Sequence, residues 1–319
     1  MKKKKKKKRR RGKFIHFCEY LLVCSLILFS RVVPFKVMIV LSYFLGHLLY
    51  LIVPSRRHIA IDNIRNAFNG QKNEKEIKQI AVQSFYSFFL MLSEILKYRF
   101  KSKGTAGFQS SIQITEDIKE LFQKAKKIHD ESKGCIFVTP HIGNWELLPY
   151  ASSIVGIPLA IVVRPLDNTY LENMIFKDRA VSGQVIIPKK NALFTLKNTL
   201  RKGKSIGILP DQGTMKGIAV NFFGRKANTT PIPAVLAVTY QRPIVVVACC
   251  RKADGAHFEG FVCDPIWPLK DYKSEKQEIY RITEEIHKKI EYIVRKYPEQ
   301  YLWIHRRWKE YENIKELFS

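Results

Sequence analysis

The chain has 319 residues, 46% of them hydrophobic, so it can form one sizeable domain with an accessory segment but not two full catalytic domains. It carries 55 Lys and Arg residues against 28 Asp and Glu, a net charge of +27, and loss of the ten basic residues from Lys2 to Arg11 would still leave +17. The positive charge therefore extends beyond the tail and favours an anionic partner: nucleic acid, a membrane or an acidic protein.

Residues 14–55 are predicted to anchor the chain to a membrane. They follow a polybasic tail, residues 1–13, and contain two apolar runs. Phe14–Phe29 is nearly without charge, and Val37–Val53 has no ionisable side chain apart from one histidine and the tyrosines. A spanning helix needs about 17 to 25 such residues, so one span, a shallow hairpin and a pair of interfacial helices all remain open.

The basic tail indicates which anionic partner the positive charge binds. Next to an apolar segment, a block of lysine and arginine marks the cytoplasmic side and attracts anionic headgroups, at about 1 kcal/mol per basic residue near the surface. A disordered nucleic-acid-binding arm is the competing interpretation. A cleaved signal peptide is a third, although Leu26–Phe29 leads to no A-x-A site. We expect an anionic membrane as a partner and no nucleic acid.

The cysteines indicate the compartment of the remaining residues, 56–319. None of the six is spaced as part of a disulfide framework, and most fall in apolar or strand-like runs (Cys18, Cys24, Cys135, Cys249, Cys250 and Cys263). Such usage is typical of a reducing cytoplasm, so we expect residues 56–319 to form a domain that faces the cytoplasm.

A histidine and a carboxylate stand five residues apart at a predicted change of secondary structure. Gly134–Thr139 has the pattern of a buried strand, the Gly-Asn pair after it that of a turn, and Trp145 begins a helix. Five steps on a regular helix would place His141 and Glu146 about 140° apart, so only this change of element lets them converge. A carboxylate that fixes the tautomer of a neutral imidazole makes it a general base, which is the predicted role of the pair.

Other interpretations of this motif explain less. A hydrogen-bonded histidine at a strand end would carry no chemistry, and a metal site would need ligands that the spacing of the other His and Cys residues does not supply. No serine or cysteine stands in an elbow such as G-x-S-x-G, and Cys135 lies within the apolar strand, as a core thiol would. The expected nucleophile is a hydroxyl of the substrate, with no metal at the site.

The rest of the chain alternates between helices and strands. Helices are predicted to begin at Arg56 and to span Glu74–Leu96. Strands are predicted at Ile136–Thr139, Leu159–Val163, Val185–Pro188, Ser205–Leu209, Ile244–Cys249 and Phe258–Cys263. In the last helix, isoleucines recur at spacings of 3, 4, 4 and 3 from Ile279 to Ile293, behind a capping box of Ser274 and Gln277. The alternation predicts an α/β fold, a mixed sheet covered by helices, and the absence of a nucleotide-binding glycine pattern predicts no cofactor.

Six signatures in register resemble one known family. They are the H-x4-E motif, Val163–Asn168, Arg179, Leu209–Gln212, Asn221–Gly224 and Pro298–Trp308. Together they are similar to the lipid A biosynthesis acyltransferases, the lauroyl/myristoyl transferase branch of the lysophospholipid acyltransferase superfamily, from about Arg56 to Lys309. The resemblance implies a fold like that of the glycerolipid acyltransferases, with the acyltransferase domain over 56–319 and an N-terminal membrane-anchoring helix or helix pair.

The resemblance also implies roles for individual residues. His141 would be the general base and Glu146 the carboxylate that orients it. Arg164 and Arg179 would clamp phosphate or steady an oxyanion, for which a guanidinium is well shaped, with a surface salt bridge as the alternative. Substrate binding is expected of three further polar residues in the signatures: Asn144, Asp211 and Gln212.

Three positions qualify these roles. A helix N-cap or turn aspartate is the alternative for Asp211. Pro149, close behind Glu146, requires the helix there to begin late or to kink, which leaves the pose of the carboxylate open. Because one base suffices, His305 in the last signature is expected to be structural or to position substrate.

The leading hypothesis is an acyltransferase of the bacterial inner membrane with its catalytic domain on the cytoplasmic side. It would move a fatty acyl group from acyl-acyl-carrier-protein to a hydroxyl of a lipid A precursor in a ternary complex, and its basic surface would suit both the acidic carrier and the acceptor phosphates. One alternative is another glycolipid or lysophospholipid acceptor, with acyl-CoA or acyl carrier protein as donor. A non-catalytic membrane or nucleic-acid binder is the other, and it leaves the His141/Glu146 pair unexplained.

Overall fold

The computed structural model describes residues 12–99, 116–157, 159–163, 165–181, 184–188, 192–215, 217–254 and 257–309. The basic block Lys2–Arg11 and Arg164 lie outside these residues, and only the backbone of Arg179 is described. Within them, an N-terminal group of helices precedes an α/β part built on a six-stranded sheet.

Two apolar helices begin the described chain, α1 (Lys13–Val32) and α2 (Phe35–Ile52). They are separate because Pro34 cannot donate the backbone hydrogen bond that a continuous helix needs there. Only 11% of the apolar stretch of α1 and 17% of that of α2 is buried, so large side chains such as Phe14 and Phe44 point outward. Both helices are long and apolar enough to cross a membrane, as the predicted anchoring helix or helix pair requires.

Helices α3 (Pro54–Phe68) and α4 (Glu74–Glu94) follow, and α4 continues as a π-helical turn. Helix α4 packs along α2 so closely that a Cβ on Gly46 would lie 2.6 Å from the Cα of Tyr86. Residues Glu74–Lys97 also have the length and hydropathy of a membrane span, although 44% of that stretch is buried. The apolar α2 is thus fastened to the rest of the protein through α4.

The strands are β1 (Ile136–Val138), β2 (Leu159–Val163), β3 (Val185–Pro188), β4 (Ser205–Ile208), β5 (Ile218–Phe222), β6 (Arg225–Thr229), β7 (Ile244–Arg251) and β8 (Phe258–Val262). Six of them form one sheet in the order β3-β2-β4-β1-β7-β8, and β5 and β6 form a separate hairpin. In the large sheet β8 pairs antiparallel at one edge and the other strands are parallel, so the sheet is mixed, as predicted.

The helices of the α/β part are α5 (Glu116–Ser132), α6 (Leu148–Ile154), α7 (Thr169–Val181), α8 (Ala192–Arg201), α9 (Ile232–Tyr240) and α10 (Glu275–Lys296). They cover a sheet whose alternate residues face two different cores. On β1, Ile136 and Val138 join a large core shared with α3, α4, α9 and α10. Cys135 and Phe137 join a smaller core beneath α5. The end of β1 therefore borders both cores.

The structure confirms all six predicted strands to within two residues and adds the β5–β6 hairpin. Its two-residue turn holds Phe223 and Gly224 at positive φ, 52° and 72°. The sequence reasoning missed the hairpin because β6, Arg-Lys-Ala-Asn-Thr, has a weak strand signal.

The last helix, α10, confirms one prediction and corrects another. Ile282, Ile286, Ile290 and Ile293 are buried, as their spacing predicted. The predicted capping box is wrong, because Ser274 occupies the N-cap position without a side-chain hydrogen bond.

Candidate active site

The carboxyl ends of two neighbouring parallel strands bring His141 and Asp211 together. β1 pairs with β4 in a register that sets Val138 beside Ile208, and the N–H of Thr139 extends the ladder by donating to the carbonyl of Ile208 at 3.1 Å. His141 and Asp211 each follow three residues after that pair. Because parallel neighbours end at the same edge of a sheet, the two side chains meet although they are 70 positions apart in the chain.

Asp211 holds His141 through two contacts. One carboxylate oxygen, Oδ1, lies 2.6 Å from Nδ1 of the imidazole, and Oδ2 accepts from the backbone N–H of His141 at 2.8 Å. The carboxylate is buried. Burial most strongly raises the pKa of the neighbouring Tyr301 phenol, and the carboxylate raises it further. The sequence assigns Asp211 to substrate binding, with a helix N-cap or turn aspartate as the alternative. In the structure its carboxylate lies against the imidazole.

The surroundings of the pair favour its charged forms. Burial lowers the pKa of His141, but the charge of Asp211, its hydrogen bond and the charge of Glu146 outweigh burial and raise the pKa above its ordinary value. Burial raises the pKa of Asp211, and its contacts with His141 outweigh that effect, so the pKa of the carboxyl is lowered. Asp211 is therefore ionised near pH 7, and the imidazole is a stronger base than a free histidine.

The second ring nitrogen of His141 faces away from Asp211. When the proton of the neutral ring is on Nδ1, the lone pair is on Nε2. The side-chain nitrogen of Gln212 lies 3.2 Å from Nε2 and can donate to it. Because Gln212 is exposed, a substrate hydroxyl can take its place.

Glu146 lies one turn beyond the histidine, next to Trp145, whose ring contacts the imidazole edge to face. Residues Trp145–Leu147 form a single 3-10 turn and α6 begins only at Leu148, because Pro149 fits the first turn of a helix but not its interior. This is the late start that the proline predicted. The carboxylate contact at Nδ1 belongs to Asp211, and the charge of Glu146 acts on the imidazole through space.

Comparison with known proteins decides the family. The family model described as bacterial lipid A biosynthesis acyltransferase matches residues 2–310. The chain belongs to this family. It is 26% identical over 283 residues to the lipid A biosynthesis palmitoleoyltransferase of Escherichia coli (strain K12) and, equally, to a lipid A biosynthesis acyltransferase of Shigella flexneri. It is 25% identical over 286 residues to the lipid A biosynthesis lauroyltransferase of Escherichia coli (strain K12), and each comparison covers 86% of both chains. The protein is therefore an acyltransferase.

The loop that carries His141, residues 139–144, is called the histidine loop here, and it packs against the sheet at Gly143. Its φ is +56°, and a Cβ there would lie 2.0 Å from the carbonyl oxygen of Cys249, so no other residue fits. The N–H of Gly143 donates to the carbonyl of Gln300 at 3.1 Å, and the N–H of Leu302 donates to the carbonyl of His141 at 3.0 Å. The loop is thus fixed both by β7 and by the C-terminal segment, residues 298–309.

A buried ion pair supports the next residue of the loop. Asn144 is fully buried, and its side-chain amide donates to Oε2 of Glu94 at 2.7 Å. The same carboxylate accepts from Nε and Nη2 of Arg251, the latter at 2.7 Å, and Arg251 donates to the hydroxyl of Ser87 at 3.1 Å. Asn144, predicted to bind substrate, faces this cluster, which joins α4, β7 and the histidine loop.

The sequence reasoning did not identify Glu94 or Arg251, although a signal was present. Glu94 is the only charged side chain between Lys78 and Lys97, and Arg251 closes an apolar strand. An ionisable residue inside such a run is normally paired and has a function.

We expect Glu94→Gln to destabilise the acyltransferase by about 3 kcal/mol, because it leaves the buried guanidinium of Arg251 without its counter-charge. Thermal and urea unfolding in detergent would measure the change. The control is Glu74→Gln on the same helix, whose carboxylate pairs with Arg65 at the surface and should matter little. Equal unfolding transitions for the two variants would show that the buried pair does not stabilise the fold.

An apolar pocket lies beside the histidine loop. Its walls come from the smaller core and from the helices above it, including Leu121, Phe137, Leu148, Leu159 and Val247. Thr139 and Trp145, which flank His141 in the chain, also line it, so the pocket reaches the histidine loop. A lining of this kind suits a hydrocarbon chain.

The remaining predictions concern metal ligands, the core cysteine and the two arginines. In the described part of the chain, no cluster of three His, Cys, Asp or Glu side chains is placed to hold a metal ion. Burial raises the pKa of the Cys135 thiol to about 12, so it stays protonated near pH 7, as expected of a core cysteine. Arg164 and the side chain of Arg179 lie outside the described residues, and their anion-binding roles stay predictions.

Proposed function

We propose that this acyltransferase moves a fatty acyl group from acyl-acyl-carrier-protein to a hydroxyl of a lipid A precursor. The observation that carries the proposal is the partly buried His141–Asp211 pair at the edge of an apolar pocket. The names of its relatives, lipid A palmitoleoyl- and lauroyltransferases, support the acceptor and the type of group transferred.

In the proposed reaction His141 acts as general base in a ternary complex. Nε2 accepts the proton of the acceptor hydroxyl, whose oxygen attacks the carbonyl carbon of the thioester. The new C–O bond forms, the C–S bond breaks, and the imidazolium returns its proton to the departing thiolate. Asp211 stabilises the imidazolium throughout, because its charge and hydrogen bond favour the protonated ring.

The acyl chain is proposed to occupy the apolar pocket, with its thioester at the end formed by Thr139 and Trp145. Gly207 and Gly260 also line this pocket. A Cβ would lie 3.1 Å from Ile161 Cγ2 at Gly207 and 2.9 Å from Leu121 Cδ1 at Gly260, so a side chain at either position would crowd the pocket wall. We expect the depth of this pocket to select the length of the acyl chain.

We propose roles for the remaining polar residues of the motifs. Without substrate, the side chain of Gln212 occupies the position at Nε2 that the acceptor hydroxyl takes in the complex. Asn144 positions the histidine loop through Glu94. Arg164 and Arg179 bind phosphate or the oxyanion, as guanidinium groups do elsewhere.

We also propose that the enzyme resides in the bacterial inner membrane with its catalytic part on the cytoplasmic side. The apolar surfaces of α1 and α2 support the attachment, and the block Lys2–Arg11 before them supports the orientation. The free cysteines suit a reducing compartment.

The test is an assay of the purified protein with acyl-acyl-carrier-protein and a lipid A precursor, followed by mass spectrometry of the lipid. We expect the acceptor to gain the mass of one acyl chain. Parallel reactions contain acyl-CoA as donor or a lysophospholipid as acceptor. Product from the lysophospholipid alone would overturn the proposed acceptor, and transfer from acyl-CoA alone would overturn the proposed donor.

Removal of residues 1–55 should release much of the protein from membranes, because the apolar helices contribute most of the attachment. Replacing only Lys2–Arg11 by neutral residues should weaken attachment or scramble orientation without abolishing binding. Carbonate extraction of membranes that contain each variant measures the difference. The same extractability for both variants would refute this division of roles.

A further inference from the structure

A second cleft, of about 410 Å³, lies where α2 ends and α3 begins. It is lined by three residues of the first turns of α3 and three of the C-terminal segment: Ser55, Arg56, Ile59, His305, Arg306 and Lys309. Two arginines and a lysine thus face one space, and no acidic side chain lines it within the described part of the chain.

Hydrogen bonds between α3 and the C-terminal segment fix the walls of this cationic cleft. Asn63 donates from its side-chain amide to the carbonyls of Trp303 and His305, both at 2.8 Å. Arg56 donates from Nη1 to the carbonyl of Ile304 at 3.1 Å, a neutral partner that leaves its charge available. Among the residues that the structure describes, none is a hydrogen-bond partner of the buried Nδ1 of His305.

The cationic cleft lies close to the catalytic histidine. The N–H of Leu302 donates to the carbonyl of His141, and three residues of chain span at most about 11 Å, so His305 is near the site. Burial lowers the pKa of His305. The charge of Asp211 opposes this effect, and the charges of His141 and Arg56 add to it.

The cleft and the apolar pocket lie on different sides of the sheet. Helix α3 and the C-terminal segment pack on the larger core through Ile64 and Trp303. The apolar pocket is lined by the smaller core, through Phe137 and Val247. His141, at the end of β1, is therefore flanked by a space for hydrocarbon and a space for anions.

We propose that the cationic cleft binds a phosphate group of the acceptor lipid and so holds the acceptor with its hydroxyl at His141. The inference rests on the function proposed above. A phosphate offers several strong acceptor oxygens, and guanidinium groups bind them through paired N–H donors. The N-terminus of α3 adds a favourable dipole. The cleft also lies at the end of the apolar α2, the depth at which the phosphate of a membrane lipid would lie.

The test compares phosphorylated and dephosphorylated forms of the lipid A precursor in the wild type and in Arg56→Ala, Arg56→Lys and Arg306→Ala. For the phosphorylated acceptor we expect each alanine variant to raise KM roughly 10- to 100-fold with kcat little changed, and lysine at position 56 to restore part of the loss. The KM for the donor should not change. With the dephosphorylated acceptor, the variants should match the wild type.

The control is Arg65→Ala, which removes a positive charge from the same helix but pairs with Glu74 away from the cleft. It should behave as the wild type with every substrate. A rise in the donor KM, or equal losses with both acceptors, would overturn the proposal, because the cleft would then serve the phosphate of the donor or no phosphate at all.

Binding measurements separate this inference from the proposed function. Nanodiscs with the phosphorylated precursor should bind the wild type more tightly than nanodiscs with the dephosphorylated form, and Arg56→Ala should abolish the preference. If the wild type lacked turnover with this lipid but kept the preference, the proposed acceptor chemistry would fail and the phosphate site would stand. Normal turnover without a preference would leave the proposed function intact and refute the site.

Discussion

His141→Ala should lower kcat about 10²- to 10⁴-fold while the protein remains folded and membrane-bound, because the substrate hydroxyl loses its general base. The imidazole is partly exposed, at 17%, so its removal leaves only a small cavity. Initial rates with saturating acyl donor and acceptor give the loss, and circular dichroism and the unfolding midpoint report on the fold. Wild-type turnover in His141→Ala would eliminate the proposed base.

His257→Ala is the matched control for that experiment. Its imidazole also lies beside an aspartate, with Nδ1 2.7 Å from Oδ2 of Asp254, but the pair is more exposed and sits between β7 and β8. Removal of this histidine should not change kcat. A similar loss in both variants would mean that the His141 effect is not specific to the site.

Asp211→Asn should lower kcat by roughly 10²-fold or more and should also move the pH profile. Only the neutral imidazole is a base, so activity rises with pH as His141 loses its proton. Asp211 contributes to the raised pKa of His141, and its neutralisation should therefore shift the acidic limb of kcat/KM to lower pH. Asparagine keeps an oxygen that can accept from the backbone N–H of His141, so the loop should keep its shape.

Glu146→Gln separates the two carboxylates that could serve the histidine. Glu146 makes the smallest of the contributions that raise the pKa of His141, so its neutralisation should shift the acidic limb less than Asp211→Asn does. Rate profiles from pH 5 to 9 for both variants would decide between them. If Glu146→Gln gave the larger shift, Glu146 rather than Asp211 would be the orienting group.

Much of the local structure followed from the sequence. The strands were predictable because short apolar runs between turn signals are buried in a sheet, and the isoleucines from Ile279 to Ile293 could only form a helical stripe. The two apolar N-terminal helices followed from their composition, and the late start of α6 from Pro149. Each of these properties depends on residues within a few positions of one another.

The partners of the site residues followed from tertiary structure alone. The sequence singles out His141 and the glutamate five residues later, but the adjacency of β1 and β4 brings Asp211 to Nδ1 across 70 positions. Strand order is set by how helices pack on both faces of the sheet, which no local pattern encodes. For the same reason Glu94 and Arg251, 157 positions apart, become partners only when α4 packs beside β7. Local physics determined the elements and singled out the histidine, and long-range packing determined which carboxylate contacts it.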